Sequence, residues 1–379
     1  MRFARSLPAV LWLLLILPAA GQIAPAPAGS TRFLTPRSFD ADGIEELLQR
    51  VARFGGVAHL PGGVYRIHRS IRVDGLGPIR IEGEGYGDAS NPEGTGFRSQ
   101  PTRLLWTGEP GGTLLQLDNS VGLSFRQMQF DGGGKAGRLV HLRSKPGWGT
   151  GNIRFTSVLF RAADVAIQCG EQEQDFNCAD NIYDEVYFIE CRTGLRTVNH
   201  QSVNHHFRSL VVHRVGVALD CQRGGNVTVE SWTAGAFDLL LRVGFGGVYA
   251  GTYRFTGGRP EMNGWTRRHA RLVEAHPTDS CDIVFEGTQE TTGPLNDALP
   301  DNNADPVFHI GPRAALTVRN HSHIRPVLKM DGGIYREEHG RWYYDPSTPG
   351  SFDITGGEVE IRSPRSMIGD RFADIVRSP

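Results

Sequence analysis

Phe125-Arg126-Gln127-Met128-Gln129-Phe130 carries apolar residues at its first, fourth and sixth positions, and the same arrangement recurs down the chain. It returns as Phe155-x-x-Val158-x-Phe160, Tyr183-x-x-Val186-x-Phe188 and Phe207-x-x-Leu210-x-Val212, with degenerate copies at Thr228–Thr233 and Ala250–Phe255. The starts are 30, 28, 24, 21 and 22 residues apart, so one unit of some two dozen residues repeats with insertions in its loops. Each copy reads as two short strands meeting at a two-residue bend: Arg126-Gln127, Thr156-Ser157, Asp184-Glu185 and Arg208-Ser209. A turn and a third apolar stretch follow, as at Val140/Leu142, Val165/Ile167, Val217/Leu219 and Leu239 to Leu241.

Such a unit cannot bury its apolar face alone, so copies must stack. A β-sandwich would show turns every ~8–12 residues, and a propeller blade needs roughly 40 residues or more. The pattern therefore predicts an all-β chain folded as a single-stranded parallel β-helix with three strands per coil. One helix is expected ahead of it, capped by Asp42 with Glu45 three residues on. Ile44, Leu47, Leu48 and Val51 follow at helical spacing, and Gly55-Gly56 ends it. An amphipathic helix there would close the open end of the stack.

The first 21 residues read as a secretory signal peptide: Arg2 and Arg5, an apolar run from Leu7 to Leu17, then Ala19-Ala20-Gly21. The run is about half of the ~20 residues that span a bilayer, so no membrane association is expected once it is cleaved. Residues 22–32 form a flexible leader, and 33–379 make the repeat domain, clearest over 55–290. The expected location is secreted or periplasmic. A net charge of −1 gives no electrostatic case for nucleic acid. Only Lys135, Lys145 and Lys329 among the 40 basic residues are lysine. Cys169, Cys178, Cys191, Cys221 and Cys281 lack CxxC spacing, which argues against zinc. Cys169 and Cys178 flank a polar segment and either staple it or stack as small buried residues.

Residues 55–106 add a more specific signal. Gly55-Gly56-Val57-Ala58-His59-Leu60-Pro61-Gly62-Gly63-Val64-Tyr65-Arg66-Ile67 is followed by Ile79-Arg80-Ile81-Glu82-Gly83-Glu84-Gly85 and by Thr102-Arg103-Leu104-Leu105-Trp106-Thr107-Gly108. This opening resembles the pectate-lyase superfamily domain of rhamnogalacturonase-like and epimerase-like proteins. The resemblance covers roughly residues 33–290 and implies a right-handed coil. It also implies an exported polysaccharide-active enzyme, a lyase or glycoside hydrolase on an acidic or pectin-like polymer. The superfamily includes non-catalytic members too, so a carbohydrate-binding or cell-surface module is the alternative. The chain is expected to be a monomer or, as in spike proteins, a trimer. It lacks the NTD, DD, GHG and RIK motifs of polygalacturonase-like hydrolases, and the calcium-site Asp pairs and catalytic Arg motifs of the best-known pectate lyases.

Candidate chemistry centres on the insertion between Cys169 and Tyr183, which carries Glu171, Glu173, Asp175 and Asp180. Strand alternation places Asp164, Arg196 and Asp220 on the outer face beside it. Asp164, Asp175, Asp180, Arg196 and Asp220 are the catalytic candidates. Glu171, His200 and His205 are the substrate-binding ones. Two carboxylates can run acid–base glycoside hydrolysis. Elimination on a uronic acid needs its carboxylate neutralised, by arginine or by calcium. No metal ligand set is assigned. A polar loop from Pro294 to Pro306 has acidic residues but not the spacing of an EF-hand.

Overall fold

The apolar positions of the repeat lie on top of one another. In the computed structural model, Phe125 stacks on Phe155 (ring centroids 5.3 Å apart), Phe155 on Tyr183 (5.8 Å) and Tyr183 on Phe207 (4.2 Å), with interplanar angles of 13°, 6° and 12°. All four rings are buried. A second pile runs beside it, Phe130 on Phe160 at 5.2 Å and Phe160 against Phe188 at 5.8 Å. Further on, Phe255 stacks on Phe285 at 4.6 Å. The degenerate copies are out of phase with the expected windows. Val229 rather than Thr228 continues the first pile between Phe207 and Phe255. Val227 and Val229 are both buried, and the window had caught the outward residue between them.

The structure describes residues 32–87, 100–145, 148–244, 250–276, 279–291, 298–300, 307–310, 314–319, 327–330, 333–338, 341–344, 353–355 and 358–360. The expected signal peptide (1–21) and nearly all of the leader (22–32) lie outside these residues, as does the 294–306 loop apart from 298–300. Within them the chain is all-β with one helix, and 24 strands share one sheet. Three columns of parallel pairings run through that sheet. The first passes through 57–59, 80–82, 124–126, 154–156, 181–184, 205–207, 227–229, 253–255, 283–285 and 316–318. The second passes through 63–67, 102–106, 129–131, 158–161, 186–189, 210–213, 232–234 and 258–260. The third passes through 71–74, 115–118, 140–143, 165–169, 193–197, 217–221, 239–243, 271–275 and 308–309. The sheet ends in antiparallel pairings, 327–330 with 333–338 and 333–338 with 341–344.

The chain turns sharply wherever it passes between columns. Gln127, Ser157 and Glu185 sit in the left-handed region at φ 53°, 53° and 57°, at three of the four expected bends. Ala162, Glu190, Arg214 and Ala236 do the same between columns two and three, and Asn152, Asp180, Asn204 and Asn226 between columns three and one. Asn and Asp tolerate this region better than most residues. Asn204 also donates to Asp180 at 2.8 Å, and Asn226 to Asn204 at 3.4 Å.

The helix, α1 (Ala41–Phe54), starts earlier than expected. Its N-cap is Asp40, whose carboxylate accepts from the Gly43 amide at 2.9 Å and from the Ser38 hydroxyl at 2.7 Å. Asp42 and Glu45 are engaged elsewhere, since both bind the Arg69 guanidinium. Ile44, Leu47, Leu48 and Val51 are buried, and Gly55 closes the helix at φ 71°. All five cysteines are free and buried, so Cys169 and Cys178 pack as small core residues. No described helix is long and apolar enough to cross a membrane.

Candidate functional site

Of the predicted residues, Arg196 and Asp220 lie on strands of column three, and Asp164 stands immediately before the column-three stretch that begins at Val165. Val165 pairs with Thr193 and Ile167 with Leu195. Asp164 therefore lies beside Arg192 (3.5 Å), while Arg196 aligns with Asp220. Arg196 Nε donates to Asp220 Oδ2 at 3.0 Å, and Gln222 adds a bond to the same oxygen at 3.1 Å. Arg242 approaches the other oxygen at 3.9 Å. Asp220 is only 1% exposed, which makes it an anchor for Arg196 and Arg242.

The insertion after Cys169 lies among the turns that leave column three, where the Asn199 side chain donates to the Asp175 and Phe176 carbonyls at 3.1 and 2.7 Å. Gly170 adopts φ +79° and its α-carbon packs against Asn199, leaving no room for a β-carbon. Its carbonyl accepts from His141 at 3.2 Å and Gln168 at 3.0 Å. Burial pushes the His141 imidazole down to about 4, which keeps it neutral. Asp175 turns inward on its own loop, accepting from the Glu171 and Gln172 amides at 2.6 and 2.9 Å. Glu171 pairs with Arg143 at 3.3 Å. Glu173 pairs with His200 at 2.7 Å and Arg223 at 3.3 Å, and the Arg223 charge holds its carboxyl below the usual range. Asp180 belongs to the turn row with Asn204. His205 lies inside the stack, where its ring nitrogens meet the Tyr183 hydroxyl at 3.2 Å and the Ser202 hydroxyl at 3.4 Å. The predicted residues thus fall into separate groups: Asp164; Arg196 with Asp220; the loop residues Glu171, Asp175 and His200; Asp180 at a corner; and His205 within.

Asp164 borders a groove that the sequence reading had not assembled. It lies along the corner between columns two and three, where each rung contributes one left-handed residue: Ala162, Glu190, Arg214 and Ala236. The alanines leave space and the two long side chains form a ridge between. A cavity of about 480 Å³ opens on the Ala162 side, bordered by Lys135, Asp164, Glu190, Arg192, Arg214 and Trp265. A second, of about 310 Å³, opens on the Ala236 side, bordered by His213, Arg214, Glu261, Asn263, Trp265 and Arg268. Arg214 and Trp265 line both. Each volume falls in the ~300–1,000 Å³ range of small-molecule sites.

The groove walls are fixed. Asp238 accepts from the amides of Trp265 and Thr266 at 2.8 Å each, and from the Thr266 hydroxyl at 2.5 Å. Glu190 is held between Arg161 (3.2 Å) and Arg214 (3.1 Å). Arg161 in turn lies 3.6 Å from the buried Asp131, which also pairs with Arg103 at 2.7 Å. Burial lowers the pKa of His213, with the Arg214 charge adding to the effect, so a neutral imidazole faces the second cavity. Among the described residues no cluster of His, Cys, Asp and Glu has the make-up of a metal site.

A signal for this groove was present in the repeat. Ala162, Glu190, Arg214 and Ala236 each stand seven residues beyond Phe155, Tyr183, Phe207 and Val229. Extending the six-residue template by one corner would have aligned them. Trp265 carries no such signal, because its loop departs from the repeat. No protein-family model matches the chain. No curated protein matches it either.

Proposed function

We propose that the three columns are the faces of a right-handed parallel β-helix of the pectate-lyase superfamily type, with three strands per coil. We read the corner groove as the site of an exported enzyme acting on an acidic polysaccharide. Repeated parallel pairing at intervals of about two dozen residues, with a bend at each column change, supports the architecture. The single observation that carries the function is the pair of adjoining cavities joined at Arg214 and Trp265. Trp265 offers a ring face on which a pyranose can lie. Arg192 and Arg214 offer charges for a uronate carboxylate.

Elimination is the reaction these groups suit. Arginine beside the substrate carboxylate makes the adjacent carbon-bound proton more acidic, and a neutral imidazole can accept it. The electron pair left behind forms the ring double bond as the neighbouring glycosidic carbon–oxygen bond breaks, and the departing oxygen takes a proton from water. His213 supplies that imidazole, and Lys135, Arg192 and Arg268 are the other cations lining the two cavities. Arg196 and Arg242, further along column three, extend the cationic track for a polymer. The test is turnover of uronate polymers, read as near-ultraviolet absorbance of unsaturated products. His213→Ala should lower kcat by roughly 10²–10⁴-fold, and Arg214→Ala should cost affinity as well. Neither unsaturated products nor new reducing ends on any uronate polymer, with or without calcium, would refute the enzymatic reading.

A non-catalytic binding module on the same groove is the second reading. It draws support from the ion pairs that already engage Asp164 and Glu190, with Arg192 and Arg214 respectively. It predicts retention on polymer gels without turnover.

A further inference from the structure

Trp148 is the most exposed large apolar side chain among the described residues, at 69%. Phe176, at 39%, stands on the neighbouring rung: the Thr150 amide donates to the Asn177 carbonyl at 2.8 Å, and Gly149 packs directly on Asn177. Both residues lie on turns that leave column three, away from the Trp265 groove. The backbone that carries each ring is tied down. The Phe176 carbonyl accepts from the Ser144 hydroxyl and from the buried Asn199 amide group, each at 2.7 Å. Trp148 pairs back on Lys145, whose amide donates to Asn119 at 3.0 Å and whose ammonium lies 3.3 Å from Asp74.

We infer that Trp148 and Phe176 form a second saccharide-contact surface, on which sugar rings of a polymer stack outside the groove. Size decides between a sugar and a protein partner. The exposed parts of two such rings amount to roughly 200–300 Å², well short of the ~800 Å² per partner that a stable protein interface buries. A pyranose presents a small C–H face to an aromatic ring and needs polar groups at its rim. Lys145, bridged to Trp148 across its turn, supplies one, with a side chain 63% exposed. The backbones that carry them belong to neighbouring rungs, about 4.8 Å apart, so a polymer lying across the rungs meets both, which one small enclosed ligand would not.

This inference shares the polysaccharide reading above but stands on different residues, so one experiment can separate the two. Hydroxyl-radical footprinting with mass spectrometry reads Trp148, Phe176 and Trp265 individually. The full chain is labelled alone and with soluble polygalacturonate, alginate, hyaluronan and the uncharged xyloglucan. The expected result is a severalfold loss of labelling at Trp148 and Phe176 with at least one polymer. Retention of the doubly substituted Trp148→Ala/Phe176→Ala protein in native gels containing that polymer should fall at least fivefold. Protection at Trp265 alone would overturn this inference and leave the groove reading standing. Protection at Trp148 and Phe176 alone would do the reverse. Unchanged labelling at both residues with every polymer, or unaltered retention of the variant, overturns it.

Discussion

His205 shows what a single side chain can conceal. Its neighbours in sequence, Asn204 and His206, belong to the surface, and a histidine in such a stretch reads as a ligand-binding group. Strand alternation turns it inward instead, against Tyr183 and Ser202, and burial pushes its pKa from 6.5 down to about 4. The consequence for stability has a definite sign. The unfolded chain takes up a proton on this ring below about 6.5, while the folded chain resists until about 4. The contribution is therefore complete above pH 6.5 and is lost as pH falls toward 4. A gap of that size is worth roughly 3 kcal/mol, and His141 adds a similar dependence. Urea midpoints measured from pH 7 to pH 4.5 should fall, and His205→Gln should flatten the decline. A variant with the same slope as the parent would contradict the buried-neutral assignment. Asp220 followed the same logic in reverse. Its type and outward position were legible in the sequence, but its burial was not, because that depends on Arg196, Gln222 and Arg242 closing over it from three rungs.

At the scale of elements, the strands and the helix were readable because each has a periodic apolar face. The details that failed were end effects. The helix N-terminus was expected at Asp42, yet Asp40 has the extended backbone and the free carboxylate that a cap requires, while Glu45 is drawn off by Arg69 and the Arg72 amide. Asp40→Ala should destabilise the protein by about 1 kcal/mol in chemical denaturation, with Asp42→Ala costing less. Equal losses from the two would return the cap to Asp42. The 169–181 insertion was correctly seen as a departure from the repeat, but its acidic residues serve different purposes. Asp175 ties its own turn, Asp180 belongs to the corner row, and Glu171 and Glu173 pair with arginines. Composition alone does not distinguish these fates. The groove was missed for a related reason: its ridge of Glu190 and Arg214 sits two positions beyond the end of the apolar template, where attention to buried residues ends.

For the whole molecule, the repeat makes each rung a copy of the one before, and this sets both the core and the surface. Aromatic rings pile inside because equivalent residues arrive at equivalent places. The same equivalence puts Glu190 over Arg214, Arg196 over Asp220, and Trp148 beside Phe176, so surface chemistry is built in rows. Distances along one column test this most directly. Arg80, Arg154 and Arg254 are exposed and occupy the same position in column one. Two steps of the register separate the first pair and four the second, at ~4.8 Å per step. Spin labels at 80 and 254 should lie about 29 Å apart and labels at 154 and 254 about 19 Å, allowing for the label arms. Separations that do not grow by a constant increment with each rung would contradict the stacking and every site built upon it.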